Sequence, residues 1–505
     1  MNPNRESHAA LSPEELIALV AAQAAEIARQ ATEIARQAAE IAALKAQFAE
    51  LERRLALNST NSGKPPSSDG LKKPPRPQRT RSLREASGRG SGGQKGHKGW
   101  TLEQVAVADS IVDHFPPSCT ACGAAVTPAM SSGHGARQVF DLPAPRPLVV
   151  TEHRVHDCVC KRCGAHNRAA FPDGVNAPVQ YGPAITAFVL YLLHYQLLPE
   201  DRLAELMADL FGVKLAAATI ARMSRTGAAR LHDFVTAVRD LVAGAGVKHM
   251  DETGFRIAGT TSWLHVACTA LLTFYRVCAR RGSLLANVTG IVVHDHWKPY
   301  YTMANVGHAL CNAHHLRELT ALIDIDKEEW ARKMHAVLRR AAHAVTLARE
   351  RDGVVKPRVL HQRLIERFER RYDAIVAEGL AFHQAQAPLR CGPRARPVAE
   401  TKGSKRGRKP RRTGHNLLLR LAGRKPDVLR FLNDARVPFT NNQAERDVRM
   451  MKVKQKISGG FRSVEGAMDF AVIRSFISTA KKQGWNVIQA LTEDPEVMAK
   501  ALRTT

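Results

Sequence analysis

No apolar run in this 505-residue sequence is long enough to cross a bilayer. The longest, Ala184 to Leu198, is broken by His194 and Gln196 and falls short of the roughly 20 residues that a spanning helix needs. A charged segment leading into an apolar core is also missing near Met1, so no signal peptide is expected. Cysteine is sparse, nine residues in all, and an odd number without an export signal argues against a disulfide framework and for a reducing cytoplasm. The largest deficit is in negative charge. The 47 Asp and Glu face 74 Lys and Arg, a formal net charge of +27. That imbalance calls for a polyanionic partner, DNA or RNA, and says nothing about fold. The length itself suits roughly three domains of about 150 residues each.

The segment 12–57 repeats itself as EIARQAT, EIARQAA and EIAALKA, spacing Val20, Ile27, Ile34, Ile41, Phe48 and Leu55 seven residues apart. Leu44 and Leu51 add second seam positions, while Gln23, Gln30 and Gln37 weaken the seam and fix its register. This is the pattern of a self-associating coiled coil, the alternative being one amphipathic helix packed on its own protein. Residues 58–110 read as a flexible basic linker, rich in Pro, Gly and Ser and carrying Lys72, Lys73, Arg76, Arg79, Arg81 and Arg84.

A small module is expected over 111–172, where Cys119-x-x-Cys122-Gly and Cys160-x-x-Cys163-Gly give the four thiolates of a structural zinc site. The 37 residues between the pairs (123–159) exceed the usual ribbon spacing, and Cys158 is a competing ligand. Unligated buried thiols are the alternative. Over 180–243 helical periodicity dominates. A turn at Gly212 separates two helices, the second carrying Thr219, Arg222 and Arg225, in the manner of a DNA-binding helix-turn-helix or of any helical hairpin.

From Gly246 the pattern becomes strand-like, with runs GVKHMD, SWLHVACTA, LLTFYRV, GIVVHD and HAL between short turns. An RNase H-like core is expected over 246–318 and 436–485. A helical insertion over 319–435, containing the basic loop Lys402 to Arg412, interrupts it, and 486–505 forms a tail. Three acidic stretches punctuate this core: HMDETGF at Asp251, VVHDHWKPY at Asp295 and TNNQAERDVR at Glu445. The first two acids close apolar runs, so each is expected at the end of a strand. Glu445 follows Asn441 and Asn442, good helix caps, and belongs in the first turn of a helix.

Two strand-borne aspartates and one helix-borne glutamate supply hard oxygen ligands suited to Mg²⁺ or Mn²⁺. That set fits two-metal phosphoryl chemistry, in which metals about 3.5–4 Å apart assist an in-line displacement. The alternatives are local. Asp251 could cap a turn into Thr253 and Gly254, Asp295 could pair with Lys298, and Glu445 could complete a capping box. Glu252 is an adjacent acid that could be mistaken for the ligand; strand alternation sends neighbouring side chains to opposite faces, so only one of the two can face the site, and Asp251 is the one expected. Arg446, Arg449, Lys452, Lys454 and Lys456 follow Glu445 at spacings that do not all share its face; some should grip DNA phosphates and others form a solvated surface. Gly459 and Gly460 mark either a close approach to DNA or an ordinary helix stop.

Read in order, HMDETG, VHDHW, CNAHHLREL, TNNQAERDVRMMKVKQKISGGFRS and FISTAKKQGWNV resemble the DDE transposases of insertion-sequence family sixty-six, the TnpC type, over nearly the whole chain. The resemblance implies a multidomain α+β protein, with an RNase H-like core interrupted by helices and a catalytic triad of Asp251, Asp295 and Glu445. It implies a bacterial, nucleoid-associated enzyme that binds the terminal inverted repeats of its element, cuts there and joins the ends to target DNA. It further implies small accessory proteins, while the N-terminal coil implies homo-oligomers. A C-x-x-H pattern at Cys311 and His314 belongs to it too. Two residues do not close a zinc shell, so helix-start packing or a DNA-facing role is expected for that pair. Two other classes compete: a DNA-binding regulator without catalysis, and an RNase H-like nuclease that cuts without joining.

Overall fold

The computed structural model describes residues 12–57, 104–140, 148–163, 165–352, 360–386 and 411–504. Most of the basic linker and of the basic loop Lys402–Arg412 lies outside the described residues. The chain divides into a larger unit, formed by 1–83, 182–199 and 221–505, and a smaller one, formed by 84–181 and 200–220. In chain order the helices are α1 (Pro13–Ala56), α2 (Pro183–Leu190), α3 (Glu200–Phe211), α4 (Ala217–Arg230), α5 (His232–Gly244), α6 (Asn312–Ala321), α7 (Glu329–Asp352), α8 (Gln362–Gln384), α9 (Thr413–Gly423), α10 (Lys425–Val428), α11 (Arg430–Asn433), α12 (Asn442–Ser458), α13 (Val464–Gln483), α14 (Val487–Thr492) and α15 (Pro495–Lys500). The strands are β1 (Asp157–Val159), β2 (His166–Arg168), β3 (Val247–Ile257), β4 (Thr260–Cys268), β5 (Thr273–Cys278), β6 (Gly290–His294) and β7 (Val306–Leu310). Architecture is thus mixed α+β, and among the described residues no helix is long and apolar enough to cross a membrane.

α1 begins on a reciprocal capping box: the Ser12 hydroxyl accepts from the Glu15 N–H at 3.3 Å, and the Glu15 carboxylate accepts from the Ser12 N–H at 2.9 Å. Each bond satisfies an amide that a helix start leaves open. Along its length the seam residues stay in solvent, Ile27 and Ile34 each 66% exposed. Near its end Arg53 bonds Asp326 at 2.9 Å. Among the described residues the large apolar side chains of the stripe are exposed.

The five-stranded sheet of the larger unit runs β5-β4-β3-β6-β7. β3, β4 and β5 form an antiparallel meander, whereas β6 and β7 lie parallel to β3. Alternation sends Met250, Ala267 and Val292 into one core, with Phe234 and Val238 of α5 and Ile473, Phe476 and Ile477 of α13. The opposite face sends Leu264 and Val266 against Val448, Met451 and Phe470 of α12 and α13. Both sheet edges are covered. At β5 the hydroxyl of Ser475 accepts from the Tyr275 N–H at 2.8 Å, and Thr479 both accepts from the Thr273 N–H (3.1 Å) and donates to its carbonyl (3.2 Å). At β7 the Arg430 guanidinium donates to the His308 carbonyl at 2.6 Å.

Between Cys311 and Phe439 the chain makes a helical excursion. Trp330 and Met334 of α7, Tyr372 of α8 and Leu418 of α9 are buried in one core, which also takes in Val293 and Ala309 of the sheet. Truncation of Trp330, Met334, Tyr372 or Leu418 to alanine should cost about 2–5 kcal/mol. The ends of the excursion meet: the Asn312 N–H donates to the Phe439 carbonyl at 3.1 Å, and the Asn441 N–H to Cys311 Sγ at 3.1 Å. The chain beyond Asn486 is helical, with Val487, Ala490 and Leu491 buried in the core that holds α5 and α13.

In the smaller unit each C-x-x-C pair folds as a tight knuckle. The Cys119 N–H bonds the Ala124 carbonyl at 2.8 Å, and the Cys160 N–H bonds the Ala165 carbonyl at 2.9 Å, the same closure twice. Gly123 takes φ +76, a conformation that costs glycine nothing. β1 and β2 pair antiparallel around the second knuckle. α3 lies in this unit, and α4 begins in it at Ala217 and runs on into the larger one. Gly212 at φ +67 ends α3 through bonds to Ala208 and from Val213 to Met207, the usual left-handed helix stop.

Candidate active site

The register of β3 and β6 explains how two distant aspartates meet. The parallel pairing runs Val247 with Ile291, Lys248 with Val292 and His249 with Val293. The pairing stops two residues short of both acids, so the parallel neighbours β3 and β6 bring Asp251 and Asp295 to the same end of the sheet, near enough for the Asp295 charge to act on Asp251. Asp295 stands just beyond the end of β6, as the sequence predicts. Asp251 does not end a strand. β3 continues to Ile257, paired with β4 throughout, and Asp251 lies opposite Val266. TGFRI extends the strand because it closes a hairpin with β4 through Ala258 and Gly259. A turn cap by Asp251 into Thr253 is thereby ruled out.

Burial and neighbouring acids destabilise the charged form of both carboxylates. Burial, then the charges of Glu252 and Asp295, push Asp251 well above the usual carboxylate range; the Glu252 N–H, donating to it at 2.9 Å, opposes this, and Glu445 adds to the rise. Asp295 is pushed up to about 6 by burial and by Glu252, against an N–H bond from Trp297 at 3.1 Å. Among the described residues neither aspartate has an ion-pair partner, Lys298 included. Recessed, unpaired oxygens with acids for neighbours fit a bound divalent cation.

Glu445 occupies the first turn of α12. Asn441 is the residue before the helix, but its side chain does not cap it. Its amide instead contacts His249 Nδ1 at 2.9 Å through Oδ1 and donates to the Met250 carbonyl at 2.8 Å. This asparagine, 1% exposed, pins the start of α12 to β3 directly before Asp251. Glu445 Oε1 lies 3.6 Å from His314 Nδ1 and 3.7 Å from Cys311 Sγ, and its Oε2 lies 3.6 Å from Arg317. Ligand atoms of Cys311, His314 and Glu445 all fall within 4.8 Å of one another, a grouping to which Asp251 and Asp295 do not belong. Burial pushes the Cys311 thiol up to about 12, and burial with the charge of Arg317 lowers His314. Cys311 packs at the start of α6, as expected; its nearness to Glu445 was not legible from spacing.

Glu252 lies on the opposite face from Asp251 and is buried, its side chain 1% exposed. Arg281 donates to its Oε1 at 2.8 and 2.6 Å, and the Tyr300 hydroxyl donates to its Oε2 at 2.6 Å. The Arg281 guanidinium stacks over Trp263 (5.1 Å) and Trp297 (4.3 Å). This network joins β3 to the segment that carries Asp295, a positioning role that sequence reasoning missed.

Of the basic residues proposed for DNA, Arg222 and Arg225 are exposed on α4 and Arg446 and Arg449 on α12. Lys452 donates to the Gly254 carbonyl at 2.6 Å, and Lys454 lies over the Phe461 ring at 4.0 Å. On a helix, Arg449, Lys452 and Lys456 follow Glu445 at i+4, i+7 and i+11 and so share its face. α12 stops at Gly459, φ +69, and Gly460 comes so close to β3 that an added Cβ would sit 2.9 Å from the Arg256 carbonyl. Gly459 thus serves as the helix stop, and Gly460 serves a close approach to the sheet. In the knuckles, N–H groups of Ala121 and Cys122 lower the Cys119 thiol, and those of Arg162 and Cys163 lower Cys160. The four sulfurs are not gathered into one ligand group.

The model of the family described as Transposase IS66 family matches residues 178–469, more than half of the chain. A family of unknown function (DUF6444) matches residues 8–103. The uncharacterized protein y4jO of Sinorhizobium fredii (strain NBRC 101917 / NGR234) is 36% identical over 77 residues, which are 14% of this chain and 24% of that protein. The chain therefore spans about a quarter of that relative's length.

Proposed function

This chain belongs to the Transposase IS66 family, and from that premise we propose that it binds the ends of an insertion sequence, cuts the strand there and joins it to target DNA. The observation that carries the reading is that Asp295 and Glu445 lie near enough to Asp251 for their charges to push its carboxyl up, at strands β3 and β6 that pair in parallel just before the two aspartates. A sheet of three antiparallel strands followed by two parallel ones supports the RNase H-like assignment. Asp251, Asp295 and Glu445 would hold Mg²⁺ or Mn²⁺. Those ions, when bound, activate the attacking oxygen and stabilise the leaving one at phosphorus. Asn441 fixes α12 against β3, so Glu445 is presented from a rigid junction, and the Glu252–Tyr300–Arg281 network fixes the segment bearing Asp295. Exposed Arg449 and Lys456, on the face of Glu445, offer phosphate contacts, as do Arg446, Arg222 and Arg225, and these make binding salt-dependent. The exposed seam of α1 assembles protomers on paired ends, small accessory proteins of the element complete the complex, and the protein acts at the bacterial nucleoid. Each knuckle offers two thiols suited to a structural zinc ion, closed once the two knuckles approach.

The test is to incubate the purified protein with element-end DNA and Mg²⁺ or Mn²⁺, beside Asp251→Asn. Joined products that vanish in the variant support the proposal, while equal products from both proteins refute the triad. Binding without cleavage would favour a regulator, and cleavage without joining a nuclease.

A further inference from the structure

We propose that Cys311, His314 and Glu445 form a binding site for a thiophilic divalent cation of the zinc, cobalt or cadmium class, separate in ligand chemistry from the oxygen site at Asp251 and Asp295. Spacing carries the argument. Zinc bonds of about 2.3 Å to sulfur and about 2.0–2.2 Å to nitrogen and oxygen, arranged tetrahedrally, place sulfur and oxygen about 3.6 Å apart and nitrogen and oxygen about 3.4 Å apart. The observed separations from Glu445 Oε1 are 3.7 Å to Cys311 Sγ and 3.6 Å to His314 Nδ1. Both agree with the ligand separations of such a shell, and all three ligand atoms lie within 4.8 Å of one another.

A second observation points the same way. Among the described residues His314 Nδ1 is a buried polar atom without a hydrogen-bond partner, a costly state for a ring nitrogen, and it lies 3.6 Å from Glu445. The local fold fixes all three ligands. Cys311 leaves β7 with its N–H bonded to the His294 carbonyl at 2.9 Å. His314 follows three residues later in the first turn of α6, the spacing that puts two side chains on one helix face. Glu445 arrives from α12, held by Asn441, whose N–H donates to Cys311 Sγ at 3.1 Å. Arg317 engages the other carboxylate oxygen of Glu445, which leaves Oε1 to the site. Three protein ligands leave the fourth position open for water.

Glu445 is shared. A cation bound with Cys311 and His314 withholds that carboxylate from Asp251 and Asp295, so thiophilic ions inhibit strand joining in the presence of Mg²⁺. This consequence rests on the triad reading, whereas the binding does not.

The test titrates the full chain with Co²⁺ or Cd²⁺ and follows thiolate-to-metal charge-transfer absorption, comparing the native protein with Cys311→Ser and His314→Ala. The native protein should bind one more cation per chain than either variant, and Cys311→Ser should lose part of the absorption; equal stoichiometry and equal spectra overturn the site. Circular dichroism checks folding, and Glu445→Gln, isosteric with the native residue, provides a third variant that should also weaken binding. Strand joining is then measured with and without Cd²⁺ within each protein. A native ratio that falls and a Cys311→Ser ratio that does not confirm the sharing of Glu445. Binding that leaves joining unaffected overturns the sharing, and loss of joining in Asp251→Asn still stands as a separate measure of the triad.

Discussion

Replacing Asp295 by asparagine should stabilise the cation-free protein above neutral pH. A carboxyl that titrates near 6 instead of 3.8 has an ionised form destabilised by about 3 kcal/mol, at about 1.4 kcal/mol per decade. The residue is only part-buried, and relaxation and solvent screening reduce the usable figure to about 1–2 kcal/mol. The sign follows from linkage. Between pH 3.8 and 6 the folded state binds the proton more tightly than the unfolded chain, so stability falls as pH rises through that window and the penalty is fully present above it. Asparagine carries no charge and can keep the bond from the Trp297 N–H. Urea unfolding in EDTA, followed by tryptophan fluorescence, reports mainly the larger unit, which holds Trp263, Trp297, Trp330 and Trp485. The variant should exceed the native protein by about 1–2 kcal/mol at pH 8, a few degrees in thermal midpoint, and the gap should close towards pH 4. Saturating Mg²⁺ should reverse the order, because only the native site gains binding energy. A variant less stable than the native protein at pH 8 in EDTA, or a gap indifferent to pH, would refute the electrostatic reasoning.

Two further outcomes test other parts of the structure. Asn441→Ala removes two buried side-chain hydrogen bonds and leaves His249 and the Met250 carbonyl unpaired; it should lower stability by about 2–3 kcal/mol in urea titration, and a loss under 0.5 would show that the junction is dispensable. Ile34→Asp places a charge in the exposed seam of α1 and should reduce the mass seen by light scattering at equal concentration without moving the unfolding of the larger unit; an unchanged mass would exclude the seam as the contact.

What could be read from the sequence was local. Alternating apolar runs gave every strand of the five-stranded sheet, and the polar run after TNN placed Glu445 in a first turn, because both signals depend on neighbours in the chain. The interactions of Asn441 were not legible. A cap is the default for asparagine at that position, and the bonds to His249 and Met250 come from a strand almost two hundred residues earlier. Asp251 was misplaced within its strand because a hairpin partner, invisible in the run itself, carried the strand onward. Cys311, His314 and Glu445 escaped for the same reason: the excursion between β7 and α12 separates them in sequence while its hydrogen-bonded ends bring them together.

The covered edges of the sheet have a consequence for how copies of this chain can join. A strand added to β5 would have to displace the hydroxyls of Ser475 and Thr479, and one added to β7 would meet the Arg430 guanidinium. Edge-to-edge extension, the commonest accidental route to aggregates of open sheets, is therefore closed at both ends. On the coil reading proposed above, association falls to α1, a helix whose reach is about 1.5 Å per residue, and copies would be tethered together without their sheets touching.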